Sequence, residues 1–206
     1  MIRSAKVEDL PQIASLHFEC FPDSFSTVLG AGNKGRLLEK YYYEYLLEFP
    51  ELFLVSENEK QEITGLCMGY YCEKNSCLKK YFKNNLFAIG FRMLYLLLSG
   101  NKEAWKKLLN SGKKHTQNIV DEKVKYYASK KKGDLLSICV KAECRGTNIA
   151  TDLVNEFVLT LQKNNREVCV LSVMNDNARG ISFYKKMGFN CYMNTDISSY
   201  MYKLIK

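Results

Sequence analysis

The sequence predicts an α/β (α+β) chain built on a mixed central β-sheet flanked by helices. Two observations carry this. The second half orders its apolar runs as strand, helix, strand, helix, strand, strand, which places its first two strands as parallel neighbours around a crossover helix. The first half holds two apolar runs separated by a short polar stretch, the mark of an antiparallel hairpin. At 206 residues, 47% hydrophobic and 25% charged, the chain has apolar material for a sizeable core. Twelve Gly and three Pro exclude collagen-like and low-complexity classes.

The elements follow in order. Ile2 to Ala5 is a short strand. Glu8 to Cys20 is a helix with Leu10, Ile13, Ala14, Leu16 and Phe18 on a partial apolar face, stopped before Pro22. Gly30 to Gly35, with three Gly and an Asn, is a loop. Arg36 to Phe49 is a Tyr-rich helix ended by Pro50. Leu52 to Ser56 and Ile63 to Tyr71 are the hairpin strands. Helices are expected near Tyr81 to Leu98, Lys102 to Leu109 and Gln117 to Ser129. Leu135 to Val140 is a buried strand. Thr147 to Gln162 is a helix with Ile149, Leu153, Phe157 and Leu161 one every four residues. Val168 to Val173 is a second buried strand, Ala178 to Met187 a short helix, and Phe189 to Met193 and Tyr200 to Ile205 the last strands.

Charge is unevenly placed. Between Cys72 and Gly133 lie 15 Lys or Arg and 4 acids, a net +11, whereas the rest of the chain is at −3. That segment can attract an anionic substrate, a membrane surface or nucleic acid. No helix-turn-helix or RNA-binding signature accompanies it, which argues against nucleic acid. The longest apolar run, Leu86 to Leu98, is broken by Arg92 and falls short of the about 20 residues that a membrane span needs. Met1-Ile2-Arg3 leads into polar residues with no apolar signal core, so the eight cysteines are expected reduced, in the cytoplasm.

Two segments carry chemistry. In the first, a buried strand ends at Ile138-Cys139-Val140, and a helix opens at Arg145-Gly146-Thr147-Asn148-Ile149-Ala150. A helix start offers unpaired N–H groups, and small residues let a phosphate approach them. This is either a phosphate cradle or an ordinary turn with a solvated Arg. In the second, Asn177 can cap a helix that carries Tyr184 two turns on and ends at Gly188-Phe189.

Together the two segments resemble the GNAT superfamily of acyl-CoA-dependent N-acyltransferases, with its I-x-V strand end, its R-G-x-G-x-G/A helix start, and its later N-x-x-A/S-x-x-x-Y-x-x-x-G-F. The resemblance covers residues 134 to 193 well, and the early elements fit the family's order. It leaves 72–133 as a long basic helical insertion between the third and fourth strands of a single domain spanning 1–206. One departure is Asn148, where the family carries the middle Gly. Asn tolerates unusual φ, but its side chain can crowd a phosphate.

The resemblance implies roles. The backbone of Ile138, Cys139 and Val140 holds the pantetheine arm of acetyl-CoA, mainly through Ile138 and Val140. The amides of Arg145, Gly146, Thr147, Asn148, Ile149, Ala150 and Thr151 hold the pyrophosphate, and Asn177 touches the pantetheine. Tyr184 protonates the leaving thiolate after direct attack by an amine, and Asp134 stands where many relatives carry an acceptor-side Glu. No metal is required. The acceptor implied is a small-molecule amine such as an amino sugar. A protein N-terminus or lysine is second, and a catalytically idle module that binds CoA or a partner is the reading from another class. A monomer or a homodimer fits equally. Cys67, Cys72 and Cys77 lack zinc spacing. With His17 and His115 the only histidines, a His-based site is not expected. Lys130-Lys131-Lys132 is either a solvated run or a contact for the 3′-phosphate of CoA.

Overall fold

The computed structural model describes residues 1–22, 24–30, 35–73, 76–110, 117–118 and 130–205. Its sheet has eight strands, β1 (Ile2–Ser4), β2 (Phe53–Glu57), β3 (Ile63–Tyr71), β4 (Gln117–Asn118), β5 (Lys132–Val140), β6 (Val168–Met174), β7 (Asn190–Thr195) and β8 (Ser198–Leu204), in spatial order β1-β2-β3-β5-β6-β8-β7-β4. Every pairing is antiparallel except β5 with β6. The seven helices are α1 (Leu10–Cys20), α2 (Phe25–Gly30), α3 (Arg36–Glu48), α4 (Cys77–Leu98), α5 (Lys102–Asn110), α6 (Ile149–Lys163) and α7 (Ala178–Lys186), counted among the described residues.

The crossover helix α6 lies close on one face of the sheet. Leu153, Val154, Phe157 and Leu161 are fully buried there, each stabilising the packing by roughly 2 kcal/mol. Close approach is possible because two facing strand positions lack side chains. A Cβ on Gly133 would sit 2.2 Å from Leu161, and one on Gly69 would sit 2.5 Å from Phe157 and 2.0 Å from the Asp134 carbonyl. The strand β3 is irregular between Met68 and Gly69, where it faces β5. On the opposite face α1 and α3 contribute Ile13, Leu16, Tyr42, Tyr45 and Leu46 to the same core. A satellite cluster of Leu29, Leu37, Tyr81 and Ile89 ties α4 to α2 and α3.

Four points need correction or completion. Helix α2 was not foreseen; its six residues are too few to show a period, although Ser24 accepts the Thr27 N–H at 3.1 Å as a capping residue does. The expected helix from Gln117 to Ser129 begins instead with a two-residue strand paired to Thr195 and Asn194 of β7, so segment 72–133 is not purely helical; residues 119–129 lie outside the described residues. Most of the expected 30–35 loop does so too, and Gly30 itself closes α2. The helix α6 begins at Ile149, two residues later than its apolar spacing suggests, because Thr147 and Asn148 form the turn that leads into it.

Candidate active site

The parallel strands β5 and β6 are joined only at Lys132, Gly133 and Asp134, opposite Val168, Cys169 and Val170. Beyond this β6 continues along β8, while β5 continues along β3. The sheet therefore forks, and the edge of β5 that turns away from β3 has no strand beside it from Leu135 to Val140 among the described residues. The Lys141 N–H donates to the Thr64 carbonyl across the β3–β5 ladder at 2.9 Å. By alternation Cys139 faces β3, while Ile138 and Val140 turn their backbone groups to the open edge. The Val140 carbonyl is already engaged, by Arg145 Nε at 3.4 Å and the Cys20 thiol at 3.5 Å. Its N–H remains for a ligand.

The fork opens into a cleft of about 990 Å³. Ile138, Cys139, Val140, Arg145, Gly146, Thr147, Ala150, Thr151, Asn177 and Tyr184 all line it, so the structure brings together ten of the residues singled out in the sequence. Asn148, Ile149 and Asp134 do not line it.

The turn into α6 is built for exposed amides. Gly146 adopts φ +88°, a left-handed conformation that glycine takes without strain. The Thr147 hydroxyl donates to the Cys144 carbonyl at 2.7 Å and so pins the turn. The N–H groups of Gly146, Thr147, Asn148, Ala150 and Thr151 meet no acceptor among the described residues. Such a row at a helix start attracts an anion. Asn148 has φ −78° and ψ −2°, an ordinary helical conformation. The backbone therefore demands no glycine there, and only the side chain distinguishes Asn148 from the family pattern. Arg145 is folded back towards Val140 and Cys20 instead of standing free at the rim.

On the β6 side Asn177 caps α7, its Oδ1 accepting the Gly180 N–H at 2.8 Å. Tyr184, one buried face of the same helix, packs edge-on against Phe183 and Phe189. Its hydroxyl has no partner among the described residues, yet it is not a sealed, unsatisfied atom, so it opens into the cleft. Burial pushes the phenol well above its ordinary range. Tyr184 thus keeps its proton at neutral pH and can donate it.

Asp134 sits at the paired end of β5. Its Oδ2 accepts the Tyr70 hydroxyl at 3.0 Å, and burial raises it to about 6 against the pull of that bond.

The remaining wall carried no sequence motif. His17 and Cys20 come from α1, Phe21 from the residue that ends it, Ser26 from α2, and Tyr41 and Tyr42 from α3. The only available signal was His17 and Cys20 near the end of one helix. Here hydrogen bonds run as a chain: Tyr42 to His17 Nδ1 at 2.6 Å, His17 Nε2 to Ser26 at 3.0 Å, Ser26 to Ser24 at 2.8 Å, Ser24 to Thr27 at 3.0 Å, and Thr27 to the Phe21 carbonyl at 2.6 Å. The last oxygen can only accept, so Thr27 must donate to it. Each earlier link then has one direction, so the chain makes His17 Nε2 a donor to Ser26, and in the neutral ring Tyr42 donates to Nδ1. Burial accordingly lowers His17 to about 4. Both ring nitrogens are occupied, so His17 has no lone pair for a substrate. Beside it the Cys139 thiol hydrogen-bonds Cys20 and, with Arg145, brings Cys20 down to about 7 despite burial. None of the eight cysteines is in a disulfide.

A forked mixed sheet with free helix-start amides at the mouth of the fork is the arrangement to compare with known proteins. Residues 114–191 match the family model described as "Acetyltransferase (GNAT) domain". Among curated protein sequences no match was found. Solved structures share the fold. An N-acetyltransferase from Staphylococcus aureus Mu50 is 14% identical with a TM-score of 0.58, covering 100% of this chain and 98% of that one. Chaetomium thermophilum Naa20, in complex with a bisubstrate analogue, is 16% identical at 0.56, covering 100% and 86%. A NatB acetyltransferase complex bound to CoA is 15% identical at 0.54, covering 100% and 99%. Among the described residues no group of three or more His, Cys, Asp or Glu is placed to hold a metal ion, and no helix is long and apolar enough to cross a membrane.

Proposed function

We propose that the protein transfers the acetyl group of acetyl-CoA to a primary amine by direct attack, within one domain into which 72–133 is inserted. One observation carries this reading: the open β5 edge and the unpaired amides of the α6 turn line the same cleft as the Tyr184 hydroxyl. The pantetheine pairs with Ile138 and with the Val140 N–H as an added strand would, and Cys139 packs beneath it. The pyrophosphate lies on the amides of Gly146, Thr147, Ala150 and Thr151, with Arg145, Asn148 and Ile149 shaping the turn. Asn177, its Oδ1 held by the cap, offers its Nδ2 to the arm. The solved CoA-bound relative with this fold supports the assignment of the co-substrate.

In the reaction the amine nitrogen forms its bond to the acetyl carbon, the C–S bond breaks, and Tyr184 delivers its proton to the departing sulfur. The proton lost by the amine passes through water to Asp134, which at about 6 is ionised at neutral pH. Tyr70 orients that carboxylate. The acceptor is a small amine, an amino sugar being the leading class, since the cleft wall of His17, Ser26, Tyr41 and Tyr42 is aromatic and hydroxyl-rich. Eight cysteines without a disulfide suit the cytoplasm.

The test is release of free CoA thiol from acetyl-CoA with a panel of amino sugars, polyamines and peptides. Amine-dependent release is the expected result. Binding of acetyl-CoA with no release across the panel would replace the reading with that of a CoA-binding module.

A further inference from the structure

We propose that the outer face of α4 and α5 docks on an anionic lipid surface. This stands independently of the acceptor's identity. The inward stripe of α4 is Cys77, Tyr81, Asn85, Ile89 and Leu96, all buried. The opposite stripe is apolar as well. Phe87 is 81% exposed, Phe91 73% and Leu98 80%, and α5 adds Trp105 and Leu109 beside them. So large an apolar face is not left to water without a partner.

Charge identifies the partner. Lys79, Lys83, Phe87 and Phe91 follow one another at four-residue spacing along α4, which contains no acidic residue. On α5 Lys102 and Lys106 flank Trp105. The exposed apolar stripe is thus bracketed by exposed lysines at both ends. Arg92, the one cation between them, is withdrawn: its guanidinium donates to the Val28 carbonyl at 3.0 Å and lies over the Tyr95 ring. Trp105 donates its indole N–H to the Leu97 carbonyl at 3.0 Å, so its ring can enter an apolar phase with no donor left unpaired. Apolar side chains framed by lysines match the interface of an anionic bilayer. A second copy of the chain is a poorer fit, because stacking this face on itself brings the lysine clusters together. The Arg92–Val28 contact lies on α2, whose Ser26 lines the cleft. Docking therefore brings the acceptor side of the cleft near the lipid surface.

Trp105 is the sole tryptophan and reports on this face directly. The full chain is mixed with vesicles of phosphatidylcholine alone or of phosphatidylcholine with phosphatidylglycerol, and its emission and co-sedimentation are followed. The expected result is a blue shift and co-sedimentation with anionic vesicles only, weakened by salt. Replacing Lys79 and Lys83 by Gln lowers partitioning by roughly tenfold or more. These exposed changes leave the melting temperature intact, which separates lost docking from lost folding. No shift with anionic vesicles overturns the proposal. So does a shift that depends on protein concentration without lipid, which assigns the face to a second copy.

Discussion

A buried group, His17, and a half-buried one, Asp134, titrate in opposite senses over the same pH window, and their separation tests the surroundings given to each. His17 has a folded pKa of about 4 against 6.5 for the unfolded chain. Its neutral form is favoured on folding, so its contribution is whole above 6.5 and is lost as pH falls towards 4. Asp134 has a folded pKa of about 6 against 3.8. Its ionised form is penalised on folding, so stability returns as pH falls from 6 towards 3.8. Between about pH 7 and pH 4.5, linkage gives a loss of about 2 kcal/mol for His17 and a gain of about 2 kcal/mol for Asp134. The two nearly cancel in the wild type. In His17→Gln the loss disappears, so acidification should stabilise this variant relative to wild type by about 2 kcal/mol. In Asp134→Asn the gain disappears, and acidification should cost about 2 kcal/mol more than in wild type. Urea unfolding of the three proteins at the two pH values reads this as shifts in midpoint. Other carboxylates titrate alike in all three and drop out of the differences. Equal pH slopes in the three proteins would refute both the neutral state of His17 and the raised pKa of Asp134.

Other substitutions probe the site more directly. Tyr184→Phe removes only the hydroxyl, and turnover should fall by roughly 100-fold with acetyl-CoA affinity unchanged; calorimetry and thiol release separate the two. Gly146→Ala places a side chain in open space but at φ +88°, so a cost of about 1 kcal/mol is expected together with weaker acetyl-CoA binding, read from melting curves with and without it. Asn148→Gly relieves no backbone strain, since φ is −78°; acetyl-CoA affinity by calorimetry should stay within about threefold, and a larger gain would show that the side chain crowds the phosphate. Gly69→Ala forces a Cβ against the Asp134 carbonyl and Phe157, and chemical denaturation should show a loss of about 2 kcal/mol or more.

The sequence showed the order of the second half and most of its boundaries to within about two residues, because its signals are local, although β5 begins at Lys132, three residues earlier than expected. A period of four in α6, a capping Asn177 and Gly188 at φ +83° each act within a few residues. The fork was not legible. It depends on where β6 leaves β5 for β8, a choice made by strands that are distant in the chain. The wall of hydroxyls was missed for the same reason, since His17 meets Tyr42 twenty-five residues away. Arg145 was legible as a cation near the turn. Its folded-back pose depends on Cys20, 125 residues distant. Nor does helical spacing reveal which face of α4 points outward when both faces are apolar.

The fork also has a mechanical consequence. Two half-sheets, β1-β2-β3-β5 and β6-β8-β7-β4, are riveted to each other at one end by three residue pairs. Above that rivet no strand pairing among the described residues joins the two halves, as in a clothes-peg. A ligand that bonds to the free edge of β5 and also rests on α7 closes the jaws from the open end. Its release requires only that they part there, with the hydrogen bonds of either half left intact.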